Sequence, residues 1–283
     1  MGLLRLLADF PGVFASVFGS CHPLPSFIYG AAFAPALPIV IMRRSRGNIR
    51  LFGESEGERI VSRTEAAAMP LISINTGVAE TCRYKDREAR SGIFKRPVGA
   101  PVRLGPTGLA GDEQADTVNH GGPDKAVCVY SFRHYPHWER ALGRPLAFGA
   151  FGENFTVDEW DEADVCIGDV FAAGTARVQV SQPRVPCWKL AMKWGLDELP
   201  ALVTESGATG FYFRVLEPGE VTTGALALLE RHPEGLTVQE ANRIMHKDKR
   251  DAAGIRRLLG VDALAASWRE TLERRLAKLE QGE

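Results

Sequence analysis

Between Val180 and Leu190 the chain reads Val-Ser-Gln-Pro-Arg-Val-Pro-Cys-Trp-Lys-Leu. Cys187 stands there between two cations, Arg184 and Lys189, which favour thiolate over thiol. A thiolate is the form that acts as a nucleophile or as a ligand for a soft metal. Pro183 and Pro186 fix φ and remove two backbone donors, so the loop carrying the cysteine is stiff. A buried, inert cysteine flanked by surface charge has the same local composition, and the residues alone leave both readings open.

A second cluster runs from Gly111 to Lys125. Asp112, Asp116 and His120 are metal-ligating types, but their spacing matches no standard metal motif. Gly121-Gly122 fits better as a tight turn or anion nest, with His120 and Asp124 bonding its backbone and Lys125 beside it. A third stretch is Phe151-Gly-Glu-Asn-Phe-Thr. Gly152 permits close backbone approach, while Glu153 and Asn154 offer an acceptor and an amide to a heterocycle edge; a structural turn is the plainer reading. In Phe211-Tyr-Phe-Arg214 the aromatics read as strand core, and Arg214 as an anion contact or an exposed strand residue.

These groups need elements to position them. From Met69 to about residue 232, short apolar runs are separated by Gly, Pro and Asp. Strands are expected at Leu71–Asn75, Lys125–Tyr130, Val170–Ala172 and Ala176–Val180, with the strand before the cysteine loop ending at Ser181. Asp169–Ala172 and Thr175–Ser181, broken by Ala173-Gly174, read as a hairpin. Helices are expected at Ser131–Leu142 and at Leu196–Ser206, the latter ended by Gly207. Many short strands with few helices predict a mainly β, barrel-like domain. From Leu236 the character changes: Thr237-Val-Gln-Glu240 is a capping box, with Leu236 and Ala241 as its hydrophobic staple. A second helix starts at Asp251 and stops at Gly260, and Trp268, Leu272, Leu276 and Leu279 form the apolar stripe of a third.

Composition removes several function classes. The 283 residues carry 34 Lys and Arg against 35 Asp and Glu, a formal charge of −1, so no large positive field exists to bind nucleic acid. Five scattered cysteines without a C-x-x-C pair are neither a disulfide framework nor a zinc or iron–sulfur pattern, and they fit a reducing, cytoplasmic setting. The most apolar stretch, Pro23 to Met42, is broken by Pro25, Pro35 and Pro38, so neither a membrane span nor a membrane partner is expected. Phosphate-binding, dinucleotide-binding, serine-hydrolase and zinc-protease motifs are absent. Residues 1–68 show no sustained period and read as an unassigned extension, with Met69 as an alternative start.

Gly111-Asp-Glu-Gln-Ala-Asp, His120-Gly-Gly-Pro-Asp-Lys-Ala, Phe151-Gly-Glu-Asn, Ile167-Gly-Asp and Ser181-Gln-Pro-Arg-x-Pro-Cys-x-Lys-Leu follow one another in this order. Together they resemble the MOSC (molybdenum-cofactor sulfurase C-terminal) proteins, and most closely the bacterial YiiM type, whose 3-alpha extension Thr237–Leu279 resembles. The resemblance implies an α+β architecture: a MOSC β-barrel-like domain at 69–232 and a small three-helix domain at 236–283. It also implies a molybdenum–pterin cofactor, with Cys187 as the protein's sulfur ligand to molybdenum. Arg184, Lys189, Ser181, Gln182, Lys125, Gly121, Gly122 and Asn154 are then the expected cofactor-binding residues; by residue type and motif location, His120 or Glu153 is the expected proton relay. The implied activity is reduction of N-hydroxylated compounds such as hydroxylaminopurine. No electron-carrying motif is visible, so electrons are expected from a separate flavin- or haem-containing reductase. The alternatives are a sulfur carrier with a Cys187 persulfide, or a non-catalytic carrier of the cofactor.

Overall fold

The computed structural model describes residues 43–45, 48–50, 67–99, 101–116 and 121–282. The chain divides into two compact units, Met1–Arg63 and Thr64–Glu283. In the first, β1 (Arg43–Ser45) and β2 (Asn48–Arg50) form an antiparallel pair. The remaining expectations for the extension, and the one for His120, lie outside the described residues.

The second unit is built on β3 (Ala68–Thr76), β4 (Glu80–Tyr84), β5 (Arg87–Ser91), β6 (Arg96–Pro97), β7 (Val102–Gly105), β8 (Gly108–Leu109), β9 (Val127–Ser131) and β10 (Phe155–Val157). It continues with β11 (Val170–Ala173), β12 (Ala176–Pro183), β13 (Phe211–Glu217), β14 (Gly219–Val221) and β15 (Gly224–Glu230). Seven of these close into a barrel in the order β10-β9-β13-β12-β11-β15-β3, with β3 pairing back to β10. Closure leaves the barrel itself no unpaired edge. Its interior holds Leu71, Val129, Phe155, Phe171, Val180 and Phe213, none more than 1% exposed. On β3 the inward positions change from Met69 and Leu71 to Ile74, because a register shift opposite Thr156 and Val157 inserts one residue. A one-residue slip moves side chains to the other face, so strict alternation fails there.

The parallel pair β9–β10 needs a long crossover, and this one contains α1 (Tyr135–Leu142). With α2 (Trp188–Trp194) and α3 (Leu199–Ser206) it packs a second core around Tyr130, Trp138, Phe151 and Leu190 on the barrel's outer face. Both expected helices begin later than their apolar patterns, at Tyr135 and Leu199. Pro136 and Pro200 explain this, since proline is tolerated only in the first turn. Likewise the strand expected from Lys125 starts at Val127, because Pro123–Lys125 forms a 3₁₀ turn.

The tail comprises α4 (Val238–Asn242), continued by a π-turn over Arg243–Lys247, then α5 (Ala252–Leu259) and α6 (Ala266–Glu280). Its apolar side chains, including Leu236, Ile244, Leu258 and Trp268, are continuous with the barrel core. The capping box forms as the pattern predicts: Glu240 N donates to Thr237 Oγ1 at 3.0 Å and Thr237 N to Glu240 Oε2 at 3.2 Å. Among the described residues no helix is long and apolar enough to cross a membrane. Replacing Thr237 with Ala removes one capping bond and should cost about 1 kcal/mol. Calorimetry should then show a melting temperature lower by roughly 2–4 °C, largely restored in Thr237→Ser.

Candidate functional site

A cleft of about 640 Å³ opens on the outer face of the barrel, where β9, β13 and the end of β12 lie side by side. Its floor comes from alternation along the strands. Val127 and Val129 of β9 point into the barrel, and Cys128 between them points out; on β13, Tyr212 does the same between Phe211 and Phe213. Cys128 and Tyr212 are register partners. Burial pushes the Cys128 thiol up to about 11 against the opposing charge of Arg184. Burial likewise raises the Tyr212 phenol.

Beyond Val180 the pairing of β12 with β13 slips by one residue at Ser181. Bulges of this kind re-aim the side chains that follow. Ser181 is fully buried, its hydroxyl 2.6 Å from the Asp124 carbonyl oxygen to which it donates, and it does not line the cleft. Gln182 is also turned away, donating to the Pro183 carbonyl at 3.1 Å and lining a different groove. The strand continues to Pro183, two residues past its expected end. Arg184 and Cys187 then enter the cleft, and Lys189 joins them from α2, which Cys187 caps with an extended backbone.

Arg184 is 6% exposed. Its Nη2 donates to the Phe151 carbonyl at 2.6 Å, while Nη1 is buried and has no hydrogen-bond partner. No carboxylate pairs with it among the described residues. The nearby thiol and phenol groups of Cys128, Tyr212, Cys187 and Tyr130 hold its pKa up against desolvation. The position of Phe151 is set by Glu153, which is fully buried and accepts from the Gly149 and Phe151 amides at 2.8 and 2.9 Å, from Thr156 Oγ1 at 3.0 Å and from the Tyr135 hydroxyl. Glu153 does not line the cleft, and its hydrogen bonds make it a scaffold for the Arg184 contact. Gly152, with φ +77°, lets this loop lie against Ile93; a Cβ there would meet Ile93 Cγ1 at 2.7 Å.

Asn154 lines the cleft but its side chain is committed, accepting from Cys128 N at 3.1 Å and donating to Asn75 O and Asp112 Oδ2 at 3.2 and 2.9 Å. Asp112 also holds Lys95 in a buried ion pair and accepts from Gly77 N at 3.0 Å. It is thus a buttress, and no group of three or more His, Cys, Asp or Glu side chains that could hold a metal ion is found among the described residues. Lys125 lines the cleft. Gly121 and Gly122 do not; Gly122 borders a separate depression with Thr107 and Gln114. Among the described residues Asp124 does not bond the glycine turn either. It accepts from Arg214 Nε at 3.0 Å and from Ala266 N at 3.1 Å, tying β13 and α6 to the turn. Arg214 is therefore structural.

Two residues behind the cleft complete it. Lys193 Nζ donates to the Ile93 and Gly149 carbonyls at 3.0 and 2.7 Å, and burial pushes its pKa down to about 8. Trp194 Nε1 donates to Ala150 O at 2.9 Å. Together they bind α2 to both loops of the rim. The hairpin β4–β5 reaches the same rim, with Tyr84 stacked on Trp188 and Lys85 paired to Asp197 at 2.8 Å. Sequence reasoning missed Cys128, Tyr212 and Lys95. The period-two pattern of Phe211-Tyr-Phe held the signal for Tyr212, whereas nothing local marks Lys95.

The MOSC domain family matches residues 116–226, and the YiiM-like, 3-alpha helix domain family matches residues 236–279. Uncharacterized protein YflK of Bacillus subtilis (strain 168) is 50% identical over 210 residues, covering 74% of this chain and 95% of its own. The crystal structure of YiiM from Geobacillus stearothermophilus is similar with a TM-score of 0.63 and 42% identity, over 74% of this chain and 99% of that one. A Gibberella moniliformis (strain M3125 / FGSC 7600) protein named "Reductase" is 35% identical over 164 residues, 56% of this chain but 29% of its own length. The chain belongs to the MOSC-domain family, in the YiiM-like group that carries a C-terminal 3-alpha helix domain.

Proposed function

We propose that the cleft holds a molybdenum–pterin cofactor and that the protein reduces N-hydroxylated compounds to amines with it. One observation carries this reading: the buried Arg184 guanidinium, with Nη1 unpartnered, stands in one cleft with the Cys187 thiol. A buried cation without a counter-charge costs several kcal/mol, which an anionic ligand offsets. A thiol beside it offers a soft donor to a metal that brings its other ligands with it. The donor set therefore fits a phosphorylated, metal-bearing pterin. The name of the family links the domain to molybdenum-cofactor chemistry, and the name of the fungal relative supports an oxidoreductase.

In this reading the Cys187 sulfur is the protein's ligand to the metal. Arg184 Nη1 donates a charge-assisted hydrogen bond to the cofactor phosphate, and Lys189 and Lys125 add positive charge along the same wall. Asn154 and the Lys95–Asp112 pair fix the opposite wall. When bound, the cofactor supplies a two-electron reduction in which the N–O bond breaks: R–NH–OH, two electrons and two protons give R–NH₂ and water. The electrons would come from a flavin- or haem-containing reductase.

The test is turnover of an N-hydroxylated amine by protein made in a cofactor-producing host, with a reduced dye supplying electrons. Cys187→Ser should lower turnover roughly a hundredfold, because a hydroxyl is a poor substitute for a soft sulfur ligand. Undiminished turnover in that variant would overturn the assignment. Labile sulfur on Cys187 without bound molybdenum would instead make the protein a sulfur carrier. Arg184→Met should weaken cofactor retention by roughly 10- to 100-fold, the worth of a hydrogen bond to a charged group. Glu153→Gln should lower stability by about 2 kcal/mol, or roughly 4–8 °C in melting temperature. As a scaffold residue it should leave turnover per bound molybdenum unchanged, whereas a proton relay would lose turnover at constant molybdenum content.

A further inference from the structure

Glu162 is a buried carboxylate, 4% exposed, that does not line the cleft. It stands between β10 and β11 in a turn pinned by the Gln239 amide of α4, which donates to the Glu162 carbonyl at 2.8 Å. Desolvation makes a buried carboxylate costly unless its oxygens are satisfied, and both of these are. Oε1 accepts from the Gly210 amide at 2.6 Å, and Oε2 lies 2.7 Å from His134 Nε2.

Gly210 is where this pair meets the cleft. Its carbonyl accepts from the Arg184 amide at 2.9 Å, so a single residue joins Glu162 to the backbone of Arg184. That residue has little room to move: its φ is +76°, and a Cβ there would meet the Val129 carbonyl oxygen at 2.3 Å. Thr209 Oγ1 donates to the same carbonyl at 2.9 Å and accepts from Asn242 Nδ2 at 2.8 Å, which ties the helical tail to this point as well.

His134 sets how firmly Glu162 is held. It ends the 3₁₀ turn Phe132–His134 that follows β9. The groups facing it are Glu162 and Asp161 from the turn after β10, Tyr130 of β9, whose ring lies edge-on with centroids 5.5 Å apart, and Arg133 beside it. Arg133 is itself engaged by Asp161 and Asp164 at 3.2 and 3.0 Å. Burial works against charge on His134, but the hydrogen bond and the charge of Glu162 outweigh it with help from Asp161, so the imidazole keeps its proton above the usual value. Charge on the donor makes such a hydrogen bond roughly twice as strong. That gain is complete below the free histidine value of about 6.5 and is lost as pH rises through the raised one.

We propose that His134 and Glu162 are positioning residues for Arg184, acting through Gly210, and that protonation of His134 tightens the hold of the cleft on an anionic ligand. The proposal rests on the reading that the cleft takes an anion at Arg184, and goes beyond it in making that binding depend on pH.

Two measurements keep the proposal apart from the cofactor reading. Molybdenum per chain, in full-length protein from a cofactor-producing host, tests the reading alone. The proposal is tested by titrating inorganic pyrophosphate into the full-length chain made without the cofactor. Binding is followed by calorimetry at about pH 6 and about pH 8.5, which bracket histidine titration, and the melting temperature of each variant is recorded. His134→Gln keeps a donor for Glu162 but is neutral at both values. Wild type should bind pyrophosphate roughly fivefold more tightly than His134→Gln at the lower pH, and the two should agree within about twofold at the higher. Groups that titrate in both proteins, Lys193 among them, cancel in this comparison. Glu162→Gln should remove the same advantage, and adding His134→Gln to it should change nothing further, because the two act as one unit. A loss of equal size at both pH values makes the pair merely structural and overturns the proposal. Equal binding by wild type and His134→Gln throughout, or wild type that binds no pyrophosphate, overturns it too. Molybdenum-loaded protein without the His134 effect keeps the cofactor reading and sinks this one; the His134 effect in a chain that never carries molybdenum does the reverse.

Discussion

A guanidinium group taken out of water without a carboxylate partner is the constraint on which the site depends. Arg184 is buried, has one nitrogen on a backbone carbonyl and leaves another with no acceptor among the described residues. Most proteins pair such a charge, because desolvation costs several kcal/mol per ion. Here the surrounding atoms are arranged to hold the cation rather than to neutralise it. Thr156, Tyr135 and two loop amides converge on Glu153, and Glu153 holds the amide of Phe151, whose carbonyl holds Arg184. The described residues thus offer it no carboxylate, and the proposed ligand would bring the counter-charge.

The rest of the fold supplies rigidity to that arrangement. Barrel closure presents Cys128 and Tyr212 outward from adjacent strands, and the slip at Ser181 turns the chain so that Arg184 and Cys187 follow onto the same face. Lys193 and Trp194 then lock α2 to the loops on either side. The tail reaches the same region through Asp124, which joins β13 and α6 to the turn that carries Lys125. One wall of the cleft and one wall of the neighbouring groove are therefore held by a single set of hydrogen bonds.

Legibility of the sequence followed the range of the interaction. The capping box at Thr237, the helix stop at Gly207 and the cluster of Arg184, Cys187 and Lys189 are local patterns, and each is found where local chemistry puts it. Ser181 and Gln182 stand in the same run, yet the bulge turns them away, and a bulge leaves no mark in composition. Val127-Cys-Val-Tyr reads as a uniformly buried strand because its outer face is covered by the crossover, so the exposure of Cys128 to the cleft was hidden. The polar β4–β5 hairpin has no apolar alternation and was invisible for that reason. The unpaired state of Arg184 depends on contacts between residues more than 30 positions apart, which only the folded chain reveals.

The most direct measurement is the molybdenum and phosphorylated-pterin content of the purified wild-type protein from a host that makes the cofactor. The account predicts close to one of each per chain, released together on denaturation. Protein that is folded yet carries neither, in a host where other molybdenum enzymes are loaded, would contradict it.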